Sequence, residues 1–318
     1  MKIVMLENNC LGNDIDLSSF DNLGEVSRYP LTSPEELADR IQDAQVLILN
    51  KIPMNEQTLK NAPYVKLICI AATGVDNVDL AYTRNRGITV TNVKDYSTAA
   101  VAQHTFAMTL YLLEKLHHYD NYVKSGIYAA QSVFTNFDIP FTELEGKTWG
   151  IIGLGHIGRK VAQIAAAFGC HVIFYSASGH NTTTEYTRVD FDTLLQQADI
   201  LSLHCPLTDR TRDLINLEAL RQMKQTAILI NVARGPVVND RDLYTALTQN
   251  MIAGAGLDVL SKEPMRTDNP LAQIQDSNKL IITPHLAWAS TEARERLVVE
   301  VHRNVEAYLQ GEERNIVK

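Results

Sequence analysis

The chain is short of three things that would send its interpretation elsewhere: cysteine, positive charge and long apolar runs. Only four cysteines occur among 318 residues, at positions 10, 69, 170 and 205. Their spacing fits no metal-ligand pattern, and each lies in or beside an apolar run such as Lys66-Leu-Ile-Cys69-Ile. They read as buried free thiols in a reducing compartment, and no metal site is expected. Lysine and arginine number 29 against 37 aspartates and glutamates, a formal net charge of −8. Phosphate backbones are bound by basic stripes, and none is present, which argues against nucleic acid as a partner. No apolar stretch reaches membrane length, and the opening Met1-Lys-Ile-Val-Met-Leu6 is too short for a signal peptide. A cytoplasmic location without membrane contact is the expectation.

What the chain does have is enough apolar material, 45% of its residues, to fill more than one core. Strand-like apolar runs alternate with helical patterns throughout, the mark of parallel sheets covered by helices. One series comprises Ile3 to Leu6, Val46 to Leu49, Leu67 to Ala71 and Ile88 to Val90. Helices open between them at Pro34 and Asn55. A second series comprises Thr148 to Ile152, His171 to Tyr175, Ile200 to His204, Ala227 to Val232, Gly254 to Asp258 and Leu280 to Thr283. Two domains are expected, one from residues 1–98 and 290–318, the other from residues 99–289. A long helix capped by Ser97 or Thr98 should run toward His118, buried between them. A last helix should open at Ser290-Thr-Glu292, carry the stripe Leu297, Val298, Val301, Val305 and Tyr308, and return to the first domain. Residues 119–145 have little periodicity but many aromatics, among them Tyr122, Tyr128, Phe134, Phe137 and Phe141. So long a segment needs a partner surface, and it reads as the arm of a homodimer.

The most informative residues are glycines 153, 155 and 158, where the strand ending at Ile152 gives way to a helix carrying Ile157, Val161, Ile164, Ala165 and Phe168. In such a turn the first glycine permits the bend, the second admits a pyrophosphate to the backbone, and the third lets helix and strand pack closely. Gly153, Leu154, Gly155, His156, Ile157 and Gly158 are therefore candidate dinucleotide contacts, with the anion on the helix N-terminus. After the next strand Ser176 stands where an acidic residue would bind the adenosine ribose and repel a 2′-phosphate. Ser176, Ser178, His180 and Asn181 can donate to a phosphate, yet no arginine follows closely, Arg188 being the nearest downstream. NAD is the favoured cofactor and NADP stays open.

Further constellations fall at strand ends: Ala72-Thr73-Gly74-Val-Asp76-Asn77, His204-Cys-Pro206-Leu-Thr208, Asn231-Val-Ala-Arg234-Gly235, Leu257-Asp258-Val259 leading to Glu263-Pro264, and Thr283-Pro284-His285. With the glycine turn, their order resembles the D-isomer-specific 2-hydroxyacid dehydrogenase family over nearly the whole chain. The run from His285 through Trp288 to Arg294 looks like its glycerate dehydrogenase or hydroxypyruvate reductase branch. The resemblance implies an α/β fold of two doubly wound parallel-sheet domains, a Rossmann dinucleotide-binding domain inserted in a flavodoxin-like substrate domain. It also adds His204, Pro206, Thr211, Val232, Ala233, Asp258 and His285 to the cofactor contacts. Thr73, Gly74, Arg234, His285 and Trp288 become substrate contacts.

Residue chemistry points the same way. Hydride transfer to a 2-oxo acid builds negative charge on the carbonyl oxygen, and His285 is the candidate proton donor. A carboxylate beside it would favour the imidazolium, a role the resemblance gives to Glu263. Arg234 stays charged and can grip the substrate carboxylate while polarising the oxo group. Asp258 tunes the histidine, contacts the cofactor ribose, or is structural. Gln103 stands where the family often has an acidic residue. The reaction implied is reduction of a small 2-oxo acid by NAD(P)H to the D-2-hydroxy acid, with hydroxypyruvate or glyoxylate foremost. Bulkier 2-oxo acids, with Tyr96 and Trp288 lining a roomier pocket, and 3-phosphoglycerate are alternatives, as is a dinucleotide-sensing corepressor. Closure between the domains would exclude water from the hydride path.

Overall fold

Runs such as Val46-Leu-Ile-Leu49 and Leu67-Ile-Cys-Ile70 show no polar side chain to water, so only a sheet covered on both faces can hold them. The computed structural model, which describes residues 1–179, 181 and 183–317, places both runs as fully buried strands. The chain divides into two units, Met1–Ser97 with Ala289–Lys318, and Thr98–Trp288.

In the first unit five strands, β1 (Lys2–Met5), β2 (Glu25–Arg28), β3 (Val46–Leu49), β4 (Leu67–Ile70) and β5 (Thr89–Thr91), form a parallel sheet in the order β2-β1-β3-β4-β5. This is the flavodoxin-like doubly wound order. Four strands were expected. β2 escaped because it is a partly exposed edge strand of mixed polarity, Glu-Val-Ser-Arg, with no apolar run to betray it. Helix α1 (Pro34–Ile41) starts at a capping box in which Ser33 and Glu36 satisfy each other's backbone N–H groups. The short α2 (Glu56–Leu59) repeats the device with Asn55 and Thr58, and α3 (Leu80–Asn85) is capped by Asp79.

The second unit opens with α4 (Thr98–Leu113), whose buried side chains include Val101, Phe106, Met108 and Leu112. The helix stops five residues short of His118. Lys115 takes a left-handed conformation, φ 54°, and a separate helix α5 (Leu116–Lys124) follows. Neither glycine nor proline marks this break, so the sequence reads through it, and the same break puts a helix into the first residues of the aromatic arm. Beyond α5 the arm exposes Phe134 and Phe137 almost completely, at 88% and 83%. Seven parallel strands then build the sheet: β6 (Thr148–Ile152), β7 (His171–Tyr175), β8 (Thr187–Arg188), β9 (Ile200–Leu203), β10 (Ile228–Asn231), β11 (Gly254–Leu257) and β12 (Leu280–Ile282). Their order, β12-β11-β10-β9-β6-β7-β8, is the Rossmann order with one strand added. Only the two-residue, exposed β8 was missing from the expected set. Helices α6 (His156–Ala167), α7 (Phe191–Gln197), α8 (Leu217–Gln222) and α9 (Asp240–Thr248) connect the strands, with α4 packed on α6, β10, β11 and β12.

The chain ends in the first unit with α10 (Thr291–Leu309), capped by the Ser290 hydroxyl and packed on β4, with Leu297, Val298, Val301 and Val305 buried.

Candidate active site

Because every strand of the seven-stranded sheet is parallel, all the loops leaving its carboxyl ends emerge on one edge, and the strand order reverses between β6 and β9. Ligands of doubly wound sheets bind at such a reversal. Gly153 leaves β6 with φ 94°, and a Cβ there would lie 2.8 Å from the backbone of Cys205, just past β9. A Cβ on Gly158 would collide with the Gly153 carbonyl. Gly155 is the opposite case: nothing lies within 4 Å of where its Cβ would be. The turn is thus closed behind and open in front. The N-cap residue of α6 is Gly155, which brings no side chain to the helix N-terminus, the end that favours an anion.

Gly153, Leu154, Gly155, Ser176, His204, Pro206 and Thr211 line one cavity of about 700 Å³. His156 is exposed, whereas Ile157 packs on the core and Gly158 is buried behind the turn. Ser176 is 6% exposed, and its hydroxyl accepts the Asn181 N–H at 3.4 Å, while the Asn181 amide donates to the Leu154 carbonyl at 2.7 Å. The loop is thereby tied to the glycine turn. His180 lies outside the described residues, and Arg188 donates to the Asn181 carbonyl at 3.3 Å. The sequence reading found no arginine for this cavity, yet Arg210 lines it beside Asp209. It arrives on the loop after β9, and nothing local in the sequence pairs it with Ser176. Thr211 is a buried brace whose hydroxyl accepts the Thr208 N–H and donates to the Pro206 carbonyl, both at 2.7 Å. Trp149 Nε1 donates to the Ser202 hydroxyl at 2.9 Å, which in turn lies 3.0 Å from His204 Nε2. Burial pushes the His204 imidazole down to about 3. A neutral ring accepting at Nε2 satisfies the whole chain of donors.

The loops after β10, β11 and β12 carry Arg234, Glu263 and His285. Asn231, fully buried, shapes the first by accepting the Ala233 N–H and donating to the Arg234 carbonyl, each at 3.0 Å. Val232 and Ala233 are buried. Arg234 is half-buried and donates to the Ala233 carbonyl at 2.8 Å. Any side chain on Gly235 would collide with the Leu260 carbonyl, so glycine lets this loop close against the segment leading to Glu263.

Glu263 uses both oxygens. Oε1 accepts the Leu260 N–H at 3.0 Å, and Oε2 lies 2.7 Å from His285 Nδ1. A carboxylate only accepts, so Nδ1 carries a proton and Nε2 is the ring nitrogen turned away from Glu263. His285 itself has φ 55°, rare for a non-glycine residue, and its N–H donates to the carbonyls of Asp258 and Thr283 at 2.8 and 2.9 Å. Asp258, only 2% exposed, has both carboxylate oxygens engaged. Oδ1 accepts from the Thr283 hydroxyl at 2.6 Å and the Leu286 N–H at 2.8 Å, and Oδ2 from the Ala287 N–H at 2.9 Å. These bonds belong to the histidine loop.

Trp288 packs on the core of the second unit, and Gln103 is exposed among Phe106, Leu110 and Phe168. Thr73 and Gly74 lie in the first unit on the loop after β4, where the Thr73 hydroxyl donates to the Val93 carbonyl at 2.8 Å and the Asn92 amide to the Thr73 carbonyl at 2.6 Å. Among the described residues, no helix is long and apolar enough to cross a membrane.

Comparison with known proteins gives this geometry its class. The D-isomer specific 2-hydroxyacid dehydrogenase, NAD binding domain, matches residues 106–287. The chain is 39% identical over 318 residues to the glycerate dehydrogenase of Methylorubrum extorquens, covering 100% of this chain and 99% of the relative. It is 38% identical over 325 residues to the hydroxypyruvate reductase of Blautia hydrogenotrophica, covering 100% and 99%. The D-lactate dehydrogenase of Aquifex aeolicus, solved with NAD and lactic acid, superposes with a TM-score of 0.86 at 29% identity, over 98% of this chain and 96% of that one. The chain belongs to the D-isomer specific 2-hydroxyacid dehydrogenases. It is an oxidoreductase of that family, acting on a CH–OH group with a nicotinamide dinucleotide.

Proposed function

We propose that this enzyme reduces small 2-oxo acids, hydroxypyruvate and glyoxylate foremost, to D-2-hydroxy acids. The observation that carries the reading is the 2.7 Å contact between His285 Nδ1 and Glu263 Oε2 on adjoining loops of the sheet edge. The names of the relatives support the substrate choice. Arg234, permanently charged, holds the substrate carboxylate and draws electron density from the neighbouring oxo group. His285 gives the proton at Nε2 to the developing alkoxide, while Glu263 stabilises the positive ring and fixes its orientation from Nδ1. In oxidation of the hydroxy acid, Nε2 takes the proton back. The glycine turn, Ser176 and the loop from Pro206 to Thr211 hold the dinucleotide, which supplies the hydride when bound.

Both NADH and NADPH serve. No carboxylate ends β7 to repel a 2′-phosphate, and Arg210 offers it a guanidinium, moderated by the neighbouring Asp209. The aromatic arm carries the homodimer contact, since Phe134 and Phe137 are otherwise left in water. The cytoplasm suits thiols that burial makes unreactive, Cys69 being pushed up to about 12 and Cys205 to about 11.

The deciding experiment follows loss of reduced-nicotinamide absorbance, with NADH and NADPH in parallel, against hydroxypyruvate, glyoxylate, pyruvate and phenylpyruvate. Fastest turnover on the first two, giving D products, supports the reading. Tight dinucleotide binding without turnover on any acid replaces it with a sensor. Sedimentation of the same preparation as a monomer overturns the dimer contact.

A further inference from the structure

His104 projects from α4, a helix buried in the second unit and otherwise apolar over most of its length. It has no place among the reacting groups. Its Nε2 lies 3.0 Å from the Thr283 hydroxyl and 3.6 Å from Asp258 Oδ1. Thr283 has one hydroxyl proton, and the 2.6 Å contact commits it to Asp258 Oδ1. The threonine oxygen is therefore an acceptor toward the ring, and His104 must carry its proton on Nε2. Asp258 in turn receives the N–H groups of Leu286 and Ala287 through its carboxylate and that of His285 through its backbone carbonyl. A directed chain thus runs from α4, through Thr283 and Asp258 just past β12 and β11, to the backbone of residues 285–287 that carries the His285 ring.

The chain has work to do. A histidine at φ 55° persists only where its surroundings over-determine the backbone. A buried carboxylate such as Asp258 would cost dearly if its donors were incomplete. Burial holds the His104 imidazole below its ordinary range, and Asp258 is the charged group opposing that shift. A neutral N–H donor at His104 supplies the Thr283 oxygen and so leaves the threonine proton to the carboxylate.

We propose that His104, acting through Thr283 and Asp258, is a positioning residue that holds the turn presenting His285 for proton transfer. The inference rests on the catalytic role proposed for His285, and its test has one arm that needs no turnover. Long-range nitrogen–proton correlation spectra, with His104→Gln identifying the signal, report the His104 tautomer. The Nε2–H form supports the chain, and the Nδ1–H form overturns it. In the kinetic arm, His104→Leu and Thr283→Val should each lower kcat about tenfold, the rate equivalent of one hydrogen bond, with KM and dinucleotide affinity nearly unchanged. His104→Gln, which returns a donor, should recover most of the loss. The double variant should fall no further than either single one. Unchanged kcat in His104→Leu, or additive losses in the double variant, would overturn the proposal. If the wild-type protein turns over no oxo acid, the catalytic reading fails while the tautomer arm still decides whether the chain exists.

Discussion

The glycine turn after β6 and the loops after β10, β11 and β12 are made rigid by different means. After β6, shape comes from backbone meeting backbone, Gly153 against Cys205 and Gly158 against the Gly153 carbonyl, with open space at Gly155, while Asn181 and Thr211 brace the neighbouring loops. After β10, β11 and β12, shape comes from side-chain hydrogen bonds: Asn231 within its own loop, and, between neighbouring loops, Asp258 to residues 286 and 287 and Glu263 to His285. The difference matches the demands of the two halves. A pyrophosphate needs N–H groups and room, which glycine supplies, whereas a proton donor needs one ring nitrogen held in one direction. Damage to the first half should therefore appear in dinucleotide affinity, and damage to the second in kcat.

Among variants that alter substrate binding as well as turnover, the largest departure is expected at Arg234→Ala. Loss of the guanidinium should raise KM and lower kcat together, reducing kcat/KM on hydroxypyruvate by about 10²–10³-fold, with the dissociation constant for NADH nearly unchanged. A loss confined to NADH binding would place Arg234 in the wrong half. Next comes Gly158→Ala, whose methyl would be driven into the Gly153 carbonyl. Overpacking of this kind costs about 1–3 kcal/mol, so thermal stability and NADH affinity should fall together while kcat at saturating NADH changes little. A fully stable variant with normal affinity would show that the turn yields without consequence. The smallest effect is expected at Ser176→Asp, which sharpens the comparison within the cofactor half. Repulsion of the 2′-phosphate should shift the ratio of NADPH to NADH turnover toward NADH by about tenfold or more, since juxtaposed like charges cost several kcal/mol. An unchanged ratio would remove Ser176 from the ribose site.

The same contrast explains what could be read from sequence. The two parallel sheets were legible because buried strands such as Ile228-Leu-Ile-Asn231 are almost purely apolar and alternate with helical stretches. The exposed edge strands Glu25–Arg28 and Thr187–Arg188 were not, for want of any such run. The glycine turn was legible because its three glycines lie within six positions of one another, at the junction of a strand and a helix. The arrangement around His285 depends on residues far apart in sequence. His104, Asp258 and Thr283 meet only once α4, β11 and β12 are assembled, and a lone histidine in an apolar helix gives no sign of its partner. Arg210 has no local signal for the same reason, since it joins Ser176 in lining one cavity only once the loop after β9 is in place. The break at Lys115 has no composition signal at all.

The most direct measurement compares steady-state reduction of hydroxypyruvate by the wild-type enzyme and His285→Ala at saturating reduced dinucleotide, with the dinucleotide dissociation constant measured on both. If His285 is the proton donor held by Glu263, kcat should fall by about 10²–10⁴-fold while dinucleotide affinity stays close to wild type. A variant that keeps wild-type kcat would contradict the assignment of the loops after β10, β11 and β12 as the site of reduction.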